Sequence, residues 1–375
     1  MKKILFRPYQ LVIATVCMLL LLSCQKDLRE PGHPGEGSTG GTSSIPKELK
    51  DFVQVNLVSD VATYDAANLD ANLKNGWGLA ISSTGQIRVN AEALGVSGVY
   101  TLDGNIVSIP TYIPGSATSD NGVSRPTGHV YNATADFKLP NGNPATFISA
   151  SADGSIAGWN SGNTAVRMVD NALNASYVGI TIASLAGDNY LYAANFSAGR
   201  IDVYDKGWKQ VSMPFIDPAI PPGYSPFNIQ TIDGMIYVTY AKKDSQGEEE
   251  TGSGKGYISV FNSDGSFVKR FASQGKLNAP WGITKAPTGF WGSSSQLSNM
   301  ILVGQFGDGK IQVFDENGNY AGALHAKGKA IEIDGLWGIA FPPSTSLNNT
   351  YLYFAAGPGT EQHGLLGYIK NLYIN

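Results

Sequence analysis

The chain has 375 residues, with 26 Lys+Arg against 30 Asp+Glu and a formal net charge of −4. Without a basic stripe, this balance excludes nucleic acid as a partner. The two cysteines, Cys17 and Cys24, both lie in the first 24 residues, so the body of the chain has no disulfide, no Cys nucleophile and no thiolate metal site.

In chain order, the first element is an address. Lys2, Lys3 and Arg7 precede an apolar run from Leu11 to Leu22 that is too short to span a bilayer and matches a signal-peptide core. It ends in Leu21-Leu22-Ser23-Cys24, which resembles the bacterial lipobox. The resemblance implies that residues 1–23 are removed and that acyl chains on Cys24 hold the mature protein on a membrane. Removal of Lys2, Lys3 and Arg7 leaves 23 basic against 30 acidic side chains, a balance of about −7. Residues 24–50 form the lipidated Cys and a flexible tether rich in Gly, Ser, Thr and Pro. The tether contains Gly35-Glu36-Gly37-Ser38-Thr39-Gly40, but no strand precedes it and no helix follows, so it is not a dinucleotide loop. Gln25-Lys26-Asp27 resembles the export signal of surface-exposed lipoproteins. The expected location is the cell envelope, on the outer membrane and facing outward.

Residues 51–375 repeat one phrase six times. Asn75-Gly76-Trp77-Gly78-Leu79 returns around residues 128, 179, 228, 282 and 338, at spacings of 50, 51, 49, 54 and 56 residues. A period near 50 made of short strands predicts a six-bladed β-propeller with four antiparallel strands per blade. The second strands are expected at Gln86–Ala91, Ala145–Ser151, Tyr190–Asn195, Met235–Ala241, Met300–Gln305 and Tyr351–Ala356. Alternating third strands follow, such as Arg200–Tyr204, in which Ile201 and Val203 take one face and Asp202 the other, as suits a strand packed more tightly against one neighbouring blade than the other. These run into Asp103-Gly104, Asp264-Gly265 or Asn317-Gly318, pairs suited to two-residue hairpin turns. The aromatics at 77, 227, 281 and 337 are expected to be wedges between blades. The last unit lacks a fourth strand, and Phe52–Val58 precedes the first, so residues 52–58 are expected to close the last blade.

Several phrases together carry a family resemblance: Asn75–Ala80, Ala152–Trp159, Leu191–Phe196, Pro221–Asn228, Leu277–Gly282, Val303–Gly309 and Ile333–Gly338. From about residue 54 onward the chain resembles an uncharacterised family of exported bacterial proteins, related at fold level to NHL-repeat propellers. Gln305 stands where that family usually has Asn, and Ser197 where it has His. The resemblance supports the fold and implies no activity.

Metalloprotease, nucleophile-elbow and Walker patterns are absent from the sequence. His129, His325 and His363 fall at different points of the repeat, so a three-His metal site is not expected. In a propeller, the loops leading into the first strand and those joining the second to the third gather on one face around the channel mouth. Here they hold Asn72, Asn75, Asn90, Glu92, Asp153, Asn195, Asp308, Asp334, Glu361 and His363, with Asn228 at the mark where the other units have Gly. The longest such insertion, Lys242–Lys255, carries Asp244 and Glu248-Glu249-Glu250. The candidate binding residues are Asn75, Asn90, Asp153, Asn195, Asn228, Asp308, Asp334 and His363. The carboxylates and amides on this face suit Ca²⁺ or another divalent cation, although turn chemistry alone accounts for several of them. The leading functional expectation is a binding module for a ligand, glycan or partner protein at the mouth. The alternative is a metal-assisted hydrolase or lyase of the lactonase kind, and a structural part of an envelope assembly comes third.

Overall fold

A computed structural model describes residues 46, 49–292 and 297–373. They lie in the second of the chain's two units, Ile45–Asn375. The signal segment, Cys24 and most of the tether lie outside the described residues.

The six repeats form six blades. In blades one to five the sheet order follows the chain, with first strands at Gly76–Ile81, Pro126–Tyr131, Tyr177–Leu185, Tyr224–Ile232 and Pro280–Lys285. Blade six is made of Leu336–Ala340, Leu352–Ala356 and Leu365–Asn371, and the N-terminal strand Phe52–Ser59 completes it. That strand runs antiparallel to Leu365–Asn371, pairing Phe52 with Asn371 and Val58 with Leu366. The predicted closure is therefore present, and it covers an edge that would otherwise be open. Asn68–Leu69 adds a short parallel strand outside it. The hairpin glycines behave as their sequence requires: Gly104, Gly265 and Gly318 have φ of 80°, 82° and 91°.

The innermost strands carry the repeat's central device. All six break their register at the mark, between Gly76 and Leu79, Pro126 and His129, Tyr177 and Gly179, Pro226 and Asn228, Pro280 and Ile283, and Leu336 and Ile339. A bulge bends the strand and re-aims the side chains beside it. Each innermost strand also packs against the next around the ring. A Cβ on Gly282 would lie 2.7 Å from the Trp337 carbonyl oxygen, and one on Gly338 2.8 Å from that of Trp77. The glycines are thus set by backbone meeting backbone across adjacent blades.

One expectation needs correction. The third strands do not have a tight face and a loose one. Ile201 and Val203 are buried, but so is Asp202, and Ser259 and Gln312 at related positions are buried as well. Every blade is covered on both faces, so the polar residues survive by hydrogen bonding: Asp202 accepts from Arg200, Asn195 and Tyr177, and Ser259 donates to Asp217.

Candidate functional site at the channel mouth

The bulges send the aromatics before the marks toward the axis, where they meet each other and not only the neighbouring blade. Trp77 stacks on Trp337 with centroids 3.6 Å apart, and Trp337 stacks in turn on Phe306 at 4.0 Å. Trp281 stands edge-on to Trp337 at 5.9 Å, and its Nε1 donates to the Val178 carbonyl across the axis, from blade five to blade three. Phe227 completes the cluster 5.7 Å from Trp337. These rings plug the channel. Beneath them is a cavity of only about 20 Å³, lined by Leu79, His129, Ile180, Asn228, Ile283 and Ile339 among others. Burial, followed by the charge of Arg88, pushes the His129 imidazole down to about 3, so it stays neutral there.

Above the plug, Asn75 is the hub. It is buried and sits at φ +48°, in the left-handed region that Asn tolerates. Its Oδ1 accepts from Trp337 Nε1 at 3.2 Å, and its Nδ2 donates to Glu92 at 3.1 Å and to Glu361 at 3.3 Å. Glu92 belongs to blade one and Glu361 to the last blade's loop, so a single amide ties the plug to two carboxylates from adjacent blades. Arg125, on the loop leading into blade two, donates from Nε to Glu92 Oε1 at 2.5 Å. Burial alone would lower its pKa, but Glu92, Glu248 and Glu361 outweigh that and raise it. Between blades one and two this face opens into a cleft of about 370 Å³ lined by Glu92, Ser119, Asp120, Ser124, Arg125 and Asp153.

The blade-four insertion is an ordered hairpin. Glu249–Glu250 pairs with the end of Met235–Lys243, and the turn is held by Asp244, whose Oδ1 accepts from the Gln246 and Glu248 amides. Glu248 adds to the field at Arg125 and Glu361, and Glu361 adds to that at Glu249. Burial lifts the Glu249 carboxyl to about 7; a bond from its own backbone N–H works against the rise, while Glu361, Glu248 and Asp244 add to it. Glu361 is also raised, by burial first, with Asn75 opposing and Glu92 adding.

The eight candidate residues divide sharply. Asn75 is in the mouth, and Asp153 lines the cleft while its two oxygens fix Ser116, Ser119 and Ser155. His363 sits beside the mouth, with Nδ1 3.0 Å from Asp60, and so anchors the loop of Glu361 to the end of the N-terminal strand. Asn90, Asn195 and Asn228 have their amides engaged within and between blades. Asn90 bridges to the carbonyls of Thr127 and Gly128, and Asn228 donates to the Trp281 carbonyl at 2.8 Å. Asn195 is fully buried and spends its amide on Ser176, Ser197, Ala198, Asn174 and Asp202. Asp308 bonds Lys310 within its own turn, and Asp334 accepts from the Gly359 amide. Arg125 was missed, since a lone Arg before Pro126 carries no signal in the sequence. Glu249 was visible only as part of an unusually long insertion.

Among the described residues no group of three or more His, Cys, Asp or Glu side chains is placed to hold a metal ion. His129, His325 and His363 stand apart: one lines the channel, one bonds the Ala323 carbonyl and one bonds Asp60. The mouth therefore offers a guanidinium, an amide hub and several carboxylates, of which burial lifts Glu249 to about 7, over an aromatic floor. Such groups recognise polar or charged ligands and can exchange protons with them.

No family model matches the chain. Among solved structures, a streptogramin B lyase superposes with a TM-score of 0.51 over 87% of this chain and 99% of that one, at 12% identity. That likeness concerns the fold alone. Among curated proteins, uncharacterized protein R648 of Acanthamoeba polyphaga mimivirus is 35% identical over 343 residues, covering 86% of this chain and 82% of that protein. Uncharacterized protein L690 of the same virus is 34% identical, covering 80% of this chain and 81% of its own length. At this identity and coverage, the chain belongs to the same protein family as these two mimivirus proteins.

Proposed function

We propose that the chain is a lipid-anchored, exported binding module that takes its ligand, a glycan or a partner protein's loop, at the channel mouth. The observation that carries this reading is the convergence of Asn75, Glu92, Arg125, Glu361 and the blade-four hairpin over a sealed channel. With the channel plugged, a ligand is met at one face and not threaded through. The anchor rests on Leu21-Leu22-Ser23-Cys24, and the outer membrane is its proposed site, in keeping with the motif resemblance to exported bacterial propellers. Two measurements test the reading. Cys24→Ala should move the protein from the membrane to the soluble fraction, and unchanged fractionation would remove the anchor. Soluble oligosaccharides and peptides that raise the melting temperature of the native chain should lose that effect with Arg125→Ala. Hits that bind the variant equally well would place the site elsewhere.

A second reading, a hydrolase or lyase, is favoured by one group. Glu249, with its carboxyl at about 7, is suited to take and return a proton at neutral pH. A divalent ion such as Ca²⁺ would have to draw on carbonyl and amide oxygens as well as carboxylates. Elemental analysis of the purified protein separates the two: one tightly held divalent ion per chain supports the metal-assisted reaction, and none leaves the binding module.

A further inference from the structure

We propose that blade two carries a second ligand site, on the face opposite the channel mouth, that takes a neutral saccharide. The strand register puts it there. Pro126–Tyr131 starts beside Arg125 and pairs Pro126 with Ser151, close in sequence to Asp153, whereas its last residue, Tyr131, pairs with Phe147, which pairs in turn with Trp159. The strand has six residues, so its two ends lie roughly 17 Å apart. At the far end is a cavity of about 500 Å³, inside the range of roughly 300–1,000 Å³ usual for small-molecule sites. Its walls come from three stretches: residues 131–134 at the end of the first strand, 143–146 before the second and 160–161 after the third.

These walls are tied to one another before any ligand arrives. Asn132 is buried and joins two of them. Its Nδ2 donates to the Ala145 carbonyl at 2.8 Å, and its Oδ1 accepts from the Thr134 hydroxyl at 2.7 Å and from the Thr134 amide at 2.9 Å. Asn160 Nδ2 donates to the Pro144 carbonyl at 3.1 Å, which brings in the third. The rings of Tyr131, Phe147 and Trp159 follow one another at 5.5 and 6.3 Å across the strand ends, and the Arg88 guanidinium of blade one lies 3.6 Å from the Trp159 ring centroid. A site held in this way by strands and buried hydrogen bonds loses little freedom when it binds.

The lining selects the ligand class. It contains no Asp, Glu, Lys, Arg or His, so a carboxylate or phosphate finds no cation and a metal ion finds no carboxylate or imidazole. Its apolar members are Ala133, Pro144, Ala145 and the Tyr131 ring, which leave no deep pocket for the large anchor residue of a protein partner. The rest are amides and hydroxyls, groups that can both donate to and accept from the hydroxyls of a sugar. Among the described residues, no hydrogen bond engages the side-chain amide of Asn143 or the hydroxyl of Thr146. Tyr131 has its hydroxyl 2.9 Å from Ser83 Oγ of blade one, so what it offers the cavity is the ring, a surface for the C–H face of a saccharide.

Calorimetric titration of the full chain with lactose, cellobiose and maltose tests the site, and at least one of these neutral disaccharides should bind. The double variant Asn143→Ala, Thr146→Val should weaken that binding about tenfold, the loss of two modest hydrogen bonds. Asn143 is exposed, so Asn143→Ala alone keeps the fold and should still weaken binding about threefold. Arg125→Ala, at the mouth, should leave the affinity unchanged, which keeps a failure here distinct from a failure of the mouth as a binding site. If none of the three disaccharides binds, the saccharide site is overturned. An affinity that Asn143→Ala and the double variant both leave as it was overturns it too, as does one that falls with Arg125→Ala.

Discussion

At the level of the mark, five of the six blades place glycine at one position, and three place tryptophan immediately before it. Just above, the loops that join second and third strands vary: a short helical turn at Glu92–Leu94, a tight turn at Asp153 and a strand-built hairpin in blade four, while blades three and five share a turn closed by Gly199 and Gly309. The difference has a physical origin. At the mark, backbones of adjacent blades touch and the ring must close, so each blade solves the same packing problem with the same residue. The loops meet solvent on one side, where only local turn chemistry constrains them. A departure from the repeat therefore has different weight in the two regions. In the loops it is expected, whereas in the ring it needs a compensating contact, and Asn228 has one in the Trp281 carbonyl.

The comparison can be broken or sharpened by mutation. Deleting residues 47–60 should have the largest effect, since it removes the strand that pairs with Leu365–Asn371 and uncovers the edge of blade six. Calorimetry should then show no cooperative transition; a melt as sharp and as high as that of the intact chain would mean that the ring closes without this strand. Trp337→Ala comes next, at roughly 3–5 kcal/mol in denaturant unfolding, because the fully buried indole is stacked on both sides. Wild-type stability would show that the plug is dispensable. Asn195→Ala should cost about 2 kcal/mol by leaving buried partners unsatisfied, with any ligand bound at the mouth retained. Lost binding with unchanged melting would return Asn195 to the site. The smallest effect, about 1 kcal/mol, is expected for Asn228→Gly, which restores the repeat and loses one bond to Trp281. A gain in stability there would make the ring indifferent to its only non-glycine.

The amides among the candidate residues are placed in two different ways, for a definable reason. Asn90, Asn195 and Asn228 lack a glycine partner in sequence, which weakens their claim to be turn residues, but a missing turn role does not imply a free side chain. All three are buried, and their donors end on carbonyls or carboxylates: Asn90 on Thr127, Asn228 on Trp281, and Asn195 on Asp202 of the next strand. Asn75 is followed by Gly76 and so had the strongest claim to a turn role, yet of the four it is the one whose amide reaches the mouth carboxylates Glu92 and Glu361. The aromatics were legible as buried wedges; that they converge in the channel depends on the bulge, which no single repeat reveals.

The sequence by itself determined the blade count, the strand order, the hairpin turns and the closing strand, because these follow from period, alternation and local backbone preference. Only the tertiary structure decided which polar groups share the mouth. Glu92, Arg125, Glu249 and Glu361 are spread over 270 residues of chain, and their proximity is a product of ring closure. The pKa shifts of Arg125, Glu249 and Glu361 are likewise set by burial and by neighbouring charges, which exist only once six blades have closed.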